Sequence, residues 1–130
     1  MNCMADIKFD LEDRLVDFSC RIIEIVEALP STRAGIYITG QLIRCGLAPA
    51  LLYGEAQGAE SRADFIHKMK ITLKELKETR VCLKIIPKAK MIIPVERLNN
   101  IKSENEQLIS IIAKSIETAK ENLCSEKSKL

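Results

Sequence analysis

Tryptophan is absent from this chain of 130 residues, and glycine, proline and aromatic residues are scarce, with five Gly, four Pro, two Tyr and three Phe. The residues that dominate instead are isoleucine, leucine, lysine and glutamate, a composition that favours long helices. The length fits one domain that is large enough to bury a core. We therefore expect an all-α protein whose single domain spans residues 1–130.

Targeting and zinc-binding patterns are also missing. No N-terminal stretch has the pattern of a signal peptide, and charge interrupts the apolar runs, so we expect a cytoplasmic protein with no membrane segment. The cysteines include no Cys-x-x-Cys pair, which favours a reducing compartment and argues against zinc. Two of them, Cys20 and Cys82, lie in apolar helical patterns and are expected to be buried. The five cysteines are Cys3, Cys20, Cys45, Cys82 and Cys124.

The residues needed for most catalytic centres are missing too. The single histidine, His67, shares one predicted helix with Asp64 and Ser61, and one rigid helix cannot bring three groups to the same substrate atom. A di-iron bundle needs Glu-x-x-His motifs on two helices. Gly54 and Gly58 lie among glutamates that would repel a phosphate. The sequence therefore predicts no enzyme, metal or cofactor.

Apolar spacing predicts the first two helices. Helix one runs from about Asp10 to Leu29, after an N-terminal arm of residues 1–9. Helix two begins at a cap, Ser31 or Thr32, and ends at Arg44, with Gly46 as its C-terminal cap. The expected inward positions are Leu11, Leu15, Phe18, Ile22, Ile25 and Leu29 in helix one, and Ile36, Thr39 and Ile43 in helix two.

The second half of the chain predicts two longer helices. Helix three begins at Pro49, and nothing forces it to end before Pro87, so it reaches about forty residues. Residues 85–97 form a connector, and helix four begins at Pro94 and ends in a frayed tail of residues 124–130. The inward positions are Ile66, Met69, Leu73, Leu76 and Leu83, followed by Ile101, Leu108, Ile112, Ile116 and Leu123. Four helices with short links predict an up-down-up-down bundle.

Small residues cluster within the segment GEAQGAESRADFIHKMK, residues 54–70. A catalytic pocket, a close-packed seam and an oligomer contact could each explain them, and the cost of glycine within a helix favours a contact surface. The small residues are Gly54, Ala56, Gly58, Ala59, Ser61 and Ala63, and the expected oligomer contacts among them are Gly54, Gly58, Ala59 and Ser61. Glu55 would then be at least half-buried, and we expect it to pair with Arg44 as a structural clamp.

Charged residues form two edges. Helix one carries an acidic edge of Asp10, Asp13, Asp17, Glu24 and Glu27, and helix three a basic edge of Lys70, Lys74, Lys77, Lys84 and Lys88. Helices one and three are diagonal in an up-down-up-down bundle, so the edges should not meet within one subunit. They could meet between subunits instead, with Asp10, Asp13 and Asp17 as oligomer contacts. The basic edge could be a solvated face, a polyanion-binding surface or a contact between subunits.

Two stretches, GIYITGQLIRCG and YGEAQGAESRADFIHKMKITLKELKET, carry a family resemblance. Its elements are Gln41-Leu42 with Arg44, Glu55-Ala56, Ser61 with Asp64-Phe65, and Glu78-Thr79. The chain resembles the four-helix bundle family encoded within intervening sequences of bacterial 23S rRNA genes, which is related to the accessory protein of diversity-generating retroelements. The resemblance implies a four-helix protomer, often a homopentamer with an axial channel, and in the retroelement relatives binding of nucleic acid and a reverse transcriptase.

The function predicted at this stage is a non-enzymatic, homo-oligomeric bundle. It would act as a scaffold or contact RNA or DNA phosphates through the helix-three lysines, with little base specificity because stacking aromatics are absent. The alternative is a structural module that docks a protein partner. The predicted third helix, about 55 Å long against about 30 Å for helix one, favours assembly into a ring because intrachain packing cannot cover it.

Overall fold

The computed structural model describes residues 3–128, with side chains described from Leu11 onward. Over that range the chain is helical and contains no strand. Four α-helices follow one another: α1 (Cys3–Ala28), α2 (Arg33–Gln57), α3 (Arg62–Lys88) and α4 (Asn99–Ser128). A short 3-10 helix, Val95–Leu98, precedes α4.

The four helices enclose one apolar core. Contacts join α1 to α2, α2 to α3, α3 to α4 and α1 to α4, whereas the described parts of α1 and α3 do not touch. The apolar stripes predicted for helices one, three and four are confirmed, since most of their members are buried and Ile25, Leu73 and Leu123 are partly buried against the core. The largest fully buried side chains include Phe18, Leu15, Ile22, Leu42, Met69, Leu76, Leu108 and Ile112.

The ends of the chain differ from expectation. Helix α1 begins at Cys3, before the predicted start near Asp10, so most of the proposed arm of residues 1–9 is helical. At the other end α4 continues to Ser128, and most of the tail predicted to fray is helical. Residues 1–2 and 129–130 lie outside the described range, as does the side chain of Asp10.

The predicted boundary between helices two and three is wrong. Helix α2 passes Gly46, contains Pro49 and ends at Gln57, with Gly58 as its C-terminal cap. Helix α3 begins after Ser61, whose Oγ accepts a hydrogen bond from the backbone N–H of Asp64 at 3.0 Å. The chain therefore turns at residues 58–61, where the sequence predicted a continuous helix. Proline inside a helix costs one backbone hydrogen bond, and the buried packing of Pro49 is a plausible compensation.

This boundary removes the length argument for a ring. The second and third helices contain 25 and 27 residues, so the third helix is not a rod of about forty residues. The two helices match in length and pack along each other within one chain. Any argument for assembly must therefore come from the surface.

The inward face of α2 was also assigned wrongly. Ile36, predicted to face the core, is 65% exposed, and Ile43 is exposed too. The core positions are occupied by other residues of α2: Gly35, Ile38, Leu42, Cys45, Gly46, Pro49, Tyr53 and Ala56. Apolar residues occur on both sides of this helix, so periodicity alone did not identify the buried side.

The apolar composition of α2 has a second consequence. Contrary to expectation, this helix is long and apolar enough to cross a membrane, with a mean hydropathy of 1.2 in a window that is 33% buried. Arg44 is the one charged residue between Arg33 and Glu55. The buried side of α2 packs on the core, and a core helix passes the same test of length and composition.

Gly46 lies at a close contact between α1 and α2. A Cβ atom placed on it would lie 2.8 Å from both Cγ1 and Cγ2 of Ile22, which is fully buried. The role predicted for Gly46, a helix cap, is therefore wrong, and its lack of a side chain lets the two helices approach.

The two cysteines that were expected to be buried have different environments. Cys82 is 7% exposed, so its predicted burial is confirmed. Cys20 is exposed, and the prediction that it is buried is wrong. The buried side of α1 is occupied by Phe18 and Ile22, and a residue two positions from each of them lies on the other side of the helix.

Candidate nucleic-acid interface

The outer side of α3 carries a basic face, which we define as Lys70, Lys74, Lys77, Lys84 and Lys88. The buried residues of α3, such as Met69, Leu76 and Leu83, lie on the other side of the helix, as the 3.6-residue repeat requires. All five lysines are exposed. The structure thus places the five predicted residues on one surface.

The five lysines form no ion pairs with the described residues. Among the described residues, none has a carboxylate oxygen within 4.0 Å of its ammonium nitrogen. Val81, which is 53% exposed, occupies the position between Lys77 and Lys84, and Ile85 follows Lys84. The face therefore combines free positive charge with a small apolar centre.

Arginines, by contrast, join helices. Arg80 of α3 donates two hydrogen bonds to Glu106 of α4, at 2.6 and 2.8 Å. These hydrogen bonds, with smaller contributions from the charges of Arg80 and Lys84, hold the pKa of Glu106 below its ordinary value. Arg14 of α1 similarly contacts Glu104 of α4 at 2.7 Å. Arginines take these carboxylates, and the five lysines of the basic face form no ion pair among the described residues, so they are available to a partner.

The clamp predicted between Arg44 and Glu55 is wrong. Arg44 contacts Glu75 at 3.0 Å and also hydrogen-bonds Glu78, both on α3. The hydrogen bond to Glu78 is the main cause of a raised Arg44 pKa. Glu55 is exposed and lies 3.7 Å from Lys68. The prediction failed because α2 continues to Gln57, which places Glu55 three helical turns beyond Arg44.

The acidic edge of α1 lies apart from the basic face. Asp13, Asp17, Glu24 and Glu27 are exposed, and Asp10 cannot be compared because its side chain lies outside the described range. No ion pair joins the described residues of α1 to those of α3, and none of their Cα atoms lie within 8 Å of each other, so the two edges do not pair within one chain. Each remains available on the surface.

The small-residue segment does not form a close seam within the chain. A Cβ atom on Gly54 would meet nothing within 4 Å, and one on Gly58 would meet only the Glu55 carbonyl oxygen at 3.8 Å. Ala59 lies in the turn before α3, and Ser61 caps that helix. These four residues therefore form the end of one helix and the start of the next.

A second surface feature, the apolar outer face of α2, was missed by sequence reasoning. We define it as Ile36, Ile43, Leu47 and Leu51. Three of these side chains are exposed, Leu51 at 70%, and Leu47 is partly buried. The signal was present in the sequence, because these residues form an apolar stripe beside that of Ile38, Leu42 and Cys45. Exposed apolar side chains in such a stripe are typical of contact sites.

A groove between α3 and α4 adjoins the basic face. It has a volume of about 180 Å³, and its charged lining residues are Arg80, Lys84, Lys102 and Glu106, of which Arg80 and Glu106 pair with each other. Lys84 belongs to the basic face, whereas Lys102 lies on α4 and was not predicted. Lys102 and Lys84 lie on different helices, and they are close because those helices pack together. The spacing of residues within one helix cannot indicate such a contact.

The described residues show no catalytic or metal-binding cluster. No group of three or more His, Cys, Asp or Glu side chains in this part of the chain is arranged to hold a metal ion. His67 is exposed, and Ser61 is engaged as a helix cap. The predicted absence of an enzymatic activity remains a prediction.

Comparisons with known proteins agree with this architecture. A family model described as 23S rRNA-intervening sequence protein matches residues 8–114. A crystal structure from Bacteroides thetaiotaomicron, described as a protein with unknown function from the S23 ribosomal protein family, is 27% identical and has a TM-score of 0.75. The alignment covers 82% of this chain and 97% of that chain. No curated protein gives a significant match.

Proposed function

This chain belongs to the 23S rRNA-intervening sequence protein family, and the similar solved structure is described as a protein with unknown function. We therefore propose a function from the surface of this chain. The protein is a non-enzymatic, homo-oligomeric bundle with up-down-up-down topology. Its basic face binds the phosphates of RNA or DNA, so that the protein acts as an accessory or scaffold for nucleic acid.

The observation that carries this proposal is the set of five exposed lysines on α3, none of which forms an ion pair with a carboxylate among the described residues. Even an exposed ion pair contributes at most about 1 kcal/mol to stability, and these lysines form none among the described residues. Their arrangement on one side of α3 therefore contributes little to the stability of the fold. Their ammonium groups suit phosphates as point charges. Release of counterions from the nucleic acid then drives binding.

The same surface argues for weak base specificity. The one aromatic residue of α3, Phe65, is partly buried against the core and is not part of the basic face. Single-strand readout depends on aromatic side chains on which bases stack. Contacts to phosphates position a protein on nucleic acid without reading sequence.

Assembly would multiply the basic surface of a chain whose formal net charge is only +2. The outer face of α2 offers apolar area to a neighbouring copy, and the acidic edge of α1 and basic face of α3 offer opposite charges on helices that do not touch. Contacts of this head-to-tail kind close into a ring when the rotation between copies permits. The family resemblance implies a ring of five.

The test is a mobility-shift assay on the purified oligomer with single- and double-stranded RNA and DNA, titrated with salt. Binding should weaken steeply as salt rises, because log K falls by about 0.7 to 0.9 per neutralised phosphate for each unit of log salt. The double variant Lys74→Glu/Lys77→Glu should lose most of the affinity and keep its helicity, since both side chains are exposed.

A charge-matched control separates a local site from net charge. Lys114 and Lys120 are exposed on α4 and are not members of the basic face, and the variant Lys114→Glu/Lys120→Glu makes the same change in net charge. If both double variants lost the same affinity for nucleic acid, the loss would reflect the net charge of the protein and not a local binding site. Unchanged affinity in the α3 variant would leave the basic face as a solvated surface.

The second candidate function is a protein-interaction module, which the exposed apolar face of α2 favours. The family resemblance makes a reverse transcriptase one possible partner. Absence of nucleic-acid binding even at low salt would favour this function over the first.

A further inference from the structure

The groove between α3 and α4 includes a buried polar group that no described neighbour satisfies. Asn105 belongs to the lining of this groove and is 1% exposed, so it lies at the inner end of the groove and not at its rim. Its Nδ2 donates a hydrogen bond to the Leu76 carbonyl oxygen at 3.1 Å. Its Oδ1 is buried and accepts no hydrogen bond from the described residues. The inner end of the groove therefore holds an acceptor without a donor.

Stability does not account for this acceptor. A buried polar atom without a partner destabilises the fold, and such atoms are rare enough in native proteins that each one calls for an explanation. Groups that lower stability are typical of binding sites, where function opposes stability. A ligand that brings an N–H or O–H donor into the groove would satisfy Oδ1.

The dimensions and lining of the groove suit one small flat ring. Its volume is about 180 Å³, and a cavity of about 150 Å³ is large enough to hold benzene. Leu83, which is 1% exposed, supplies apolar lining. Arg80 also lines the groove, and its two hydrogen bonds to Glu106 hold the guanidinium plane in place. Nucleobases stack on guanidinium planes as well as on aromatic side chains, so a ring can be held here without an aromatic residue.

Two lysines make the groove attractive to an anion. Lys84 lies on α3 and Lys102 on α4, and neither forms an ion pair with a described carboxylate. Arg80 and Glu106 neutralise each other, so the two lysines determine the net charge of the lining. Lys84 also belongs to the basic face. A strand whose phosphates contact that face therefore passes the mouth of the groove.

We propose that the groove binds one unpaired nucleobase of a strand held on the basic face, an inference that rests on the proposed function. The base lies against Arg80 and Leu83, one of its N–H groups donates to Oδ1 of Asn105, and Lys84 and Lys102 contact the adjoining phosphates. Because Oδ1 is itself buried, binding includes a small rotation of the Asn105 amide about χ2, which is a broad torsion.

The groove distinguishes unpaired bases from paired ones and does not read sequence. Each of the common bases carries an N–H donor on its Watson–Crick edge, and base pairing in a duplex engages that donor. A single acceptor accepts any of these donors, so it selects none of the bases over the others. This selectivity is compatible with the weak base specificity of the basic face.

The test uses two fluorescently labelled single strands of the same length, one of mixed sequence and one in which every base is absent. Both carry the same phosphates, so phosphate contacts alone would bind them with equal affinity. We expect fluorescence anisotropy at low salt to show that the wild-type oligomer binds the strand with bases about tenfold more tightly. Stacking of one base produces an effect of this order in other proteins.

Asn105→Leu removes the acceptor and should still fold, because no buried polar atom is left unpaired. The preference for the strand with bases should disappear, whereas affinity for the strand without bases should stay the same. Asn122→Leu is the matched control, since Asn122 is exposed on α4 and does not line the groove. It should keep the wild-type preference, and circular dichroism should show that both variants remain helical.

Nuclear magnetic resonance of the ¹⁵N-labelled wild-type chain gives a direct readout that needs no variant. The side-chain amide signals of Asn105 should shift on addition of uridine 5′-monophosphate and should not shift with ribose 5-phosphate. Equal shifts with both compounds would identify a phosphate site and overturn the inference.

The outcomes separate this inference from the proposed function. Equal affinity of the wild type for the two strands, or a preference that survives in Asn105→Leu, would overturn the inference and leave phosphate binding by the basic face in place. If neither strand bound at low salt, the proposed function would fail, and the inference would fail with it.

Discussion

One buried oxygen atom affects the stability of the contact between α3 and α4. Asn105 is 1% exposed, and its Nδ2 donates a hydrogen bond to the Leu76 carbonyl oxygen at 3.1 Å. Its Oδ1 is buried and has no hydrogen-bond partner among the residues that the structure describes. A polar atom in this situation is costly, because it has lost its contacts with water.

We therefore expect Asn105→Leu to raise the free energy of unfolding by about 1 kcal/mol, measured by urea denaturation at a fixed chain concentration. Asn105→Ala is the control and should lower it, because truncation leaves a cavity. A loss of stability in the leucine variant would mean that Oδ1 has a partner, such as an ordered water.

Glycine 46 leads to a second prediction for a single residue. A Cβ atom there would lie 2.8 Å from two atoms of the buried Ile22 side chain, so Gly46→Ala should lower the free energy of unfolding by about 1 to 3 kcal/mol. The matched control is Gly40 on the same helix, where a Cβ atom meets nothing within 4 Å. There alanine should stabilise the helix by up to about 1 kcal/mol. A loss at Gly40 would instead indicate a neighbouring chain at that surface.

The burial or exposure of a residue was predictable from the sequence only where its position on its own helix determines it. The exposure of Lys74 and the burial of Leu76 follow from the 3.6-residue period. The partner of Arg44 did not, because it depends on how α2 and α3 align. The role of Gly46 was hidden for the same reason, since Ile22 approaches it from another helix.

At the scale of the helix, the turn at residues 58–61 is the decisive element. Ser61 begins α3 by accepting the Asp64 N–H, so Ser61→Ala should lower the free energy of unfolding by about 1 kcal/mol. Ser31→Ala is the matched control, because Thr32 and not Ser31 caps α2. Equal effects in thermal or urea unfolding would contradict the capping role.

Three helices were predictable and one boundary was not. In α1, α3 and α4 most of the apolar residues lie on one side of the helix, so the buried side of each helix was identified correctly. In α2, glycine and proline were interpreted as a cap and a helix start, although Gly46 and Pro49 are both buried inside the helix. Local propensity indicated a break there, and tertiary packing prevailed over it.

At the scale of the whole molecule, assembly is the property to measure. Leu51 is 70% exposed on the outer face of α2, so Leu51→Glu should dissociate the proposed oligomer, which light scattering would detect as a fall in mass. The control is Ile93→Glu, a similar change at a residue that is 72% exposed outside the α-helices. A wild-type mass near 14.6 kDa would contradict assembly itself.

The candidate site was predictable to the extent that it lies on one helix. Spacing placed five lysines on one side of α3, and no knowledge of tertiary structure was needed. Lys102, which extends the surface across a groove, comes from α4 and could not be assigned. The sequence also did not predict that these lysines lack ion pairs among the described residues, because that depends on which carboxylates pair with arginines in the folded chain.

The length of the basic face sets the length of nucleic acid that one chain would contact. From Lys70 to Lys88 it extends about 27 Å along α3, at 1.5 Å per residue. Each strand of a duplex carries one phosphate per about 3.4 Å of duplex axis, so a duplex lying along the face presents about eight base pairs over that length. Affinity per chain should rise with oligonucleotide length up to about that footprint, and any continued rise beyond it would measure how neighbouring copies in the oligomer share one strand.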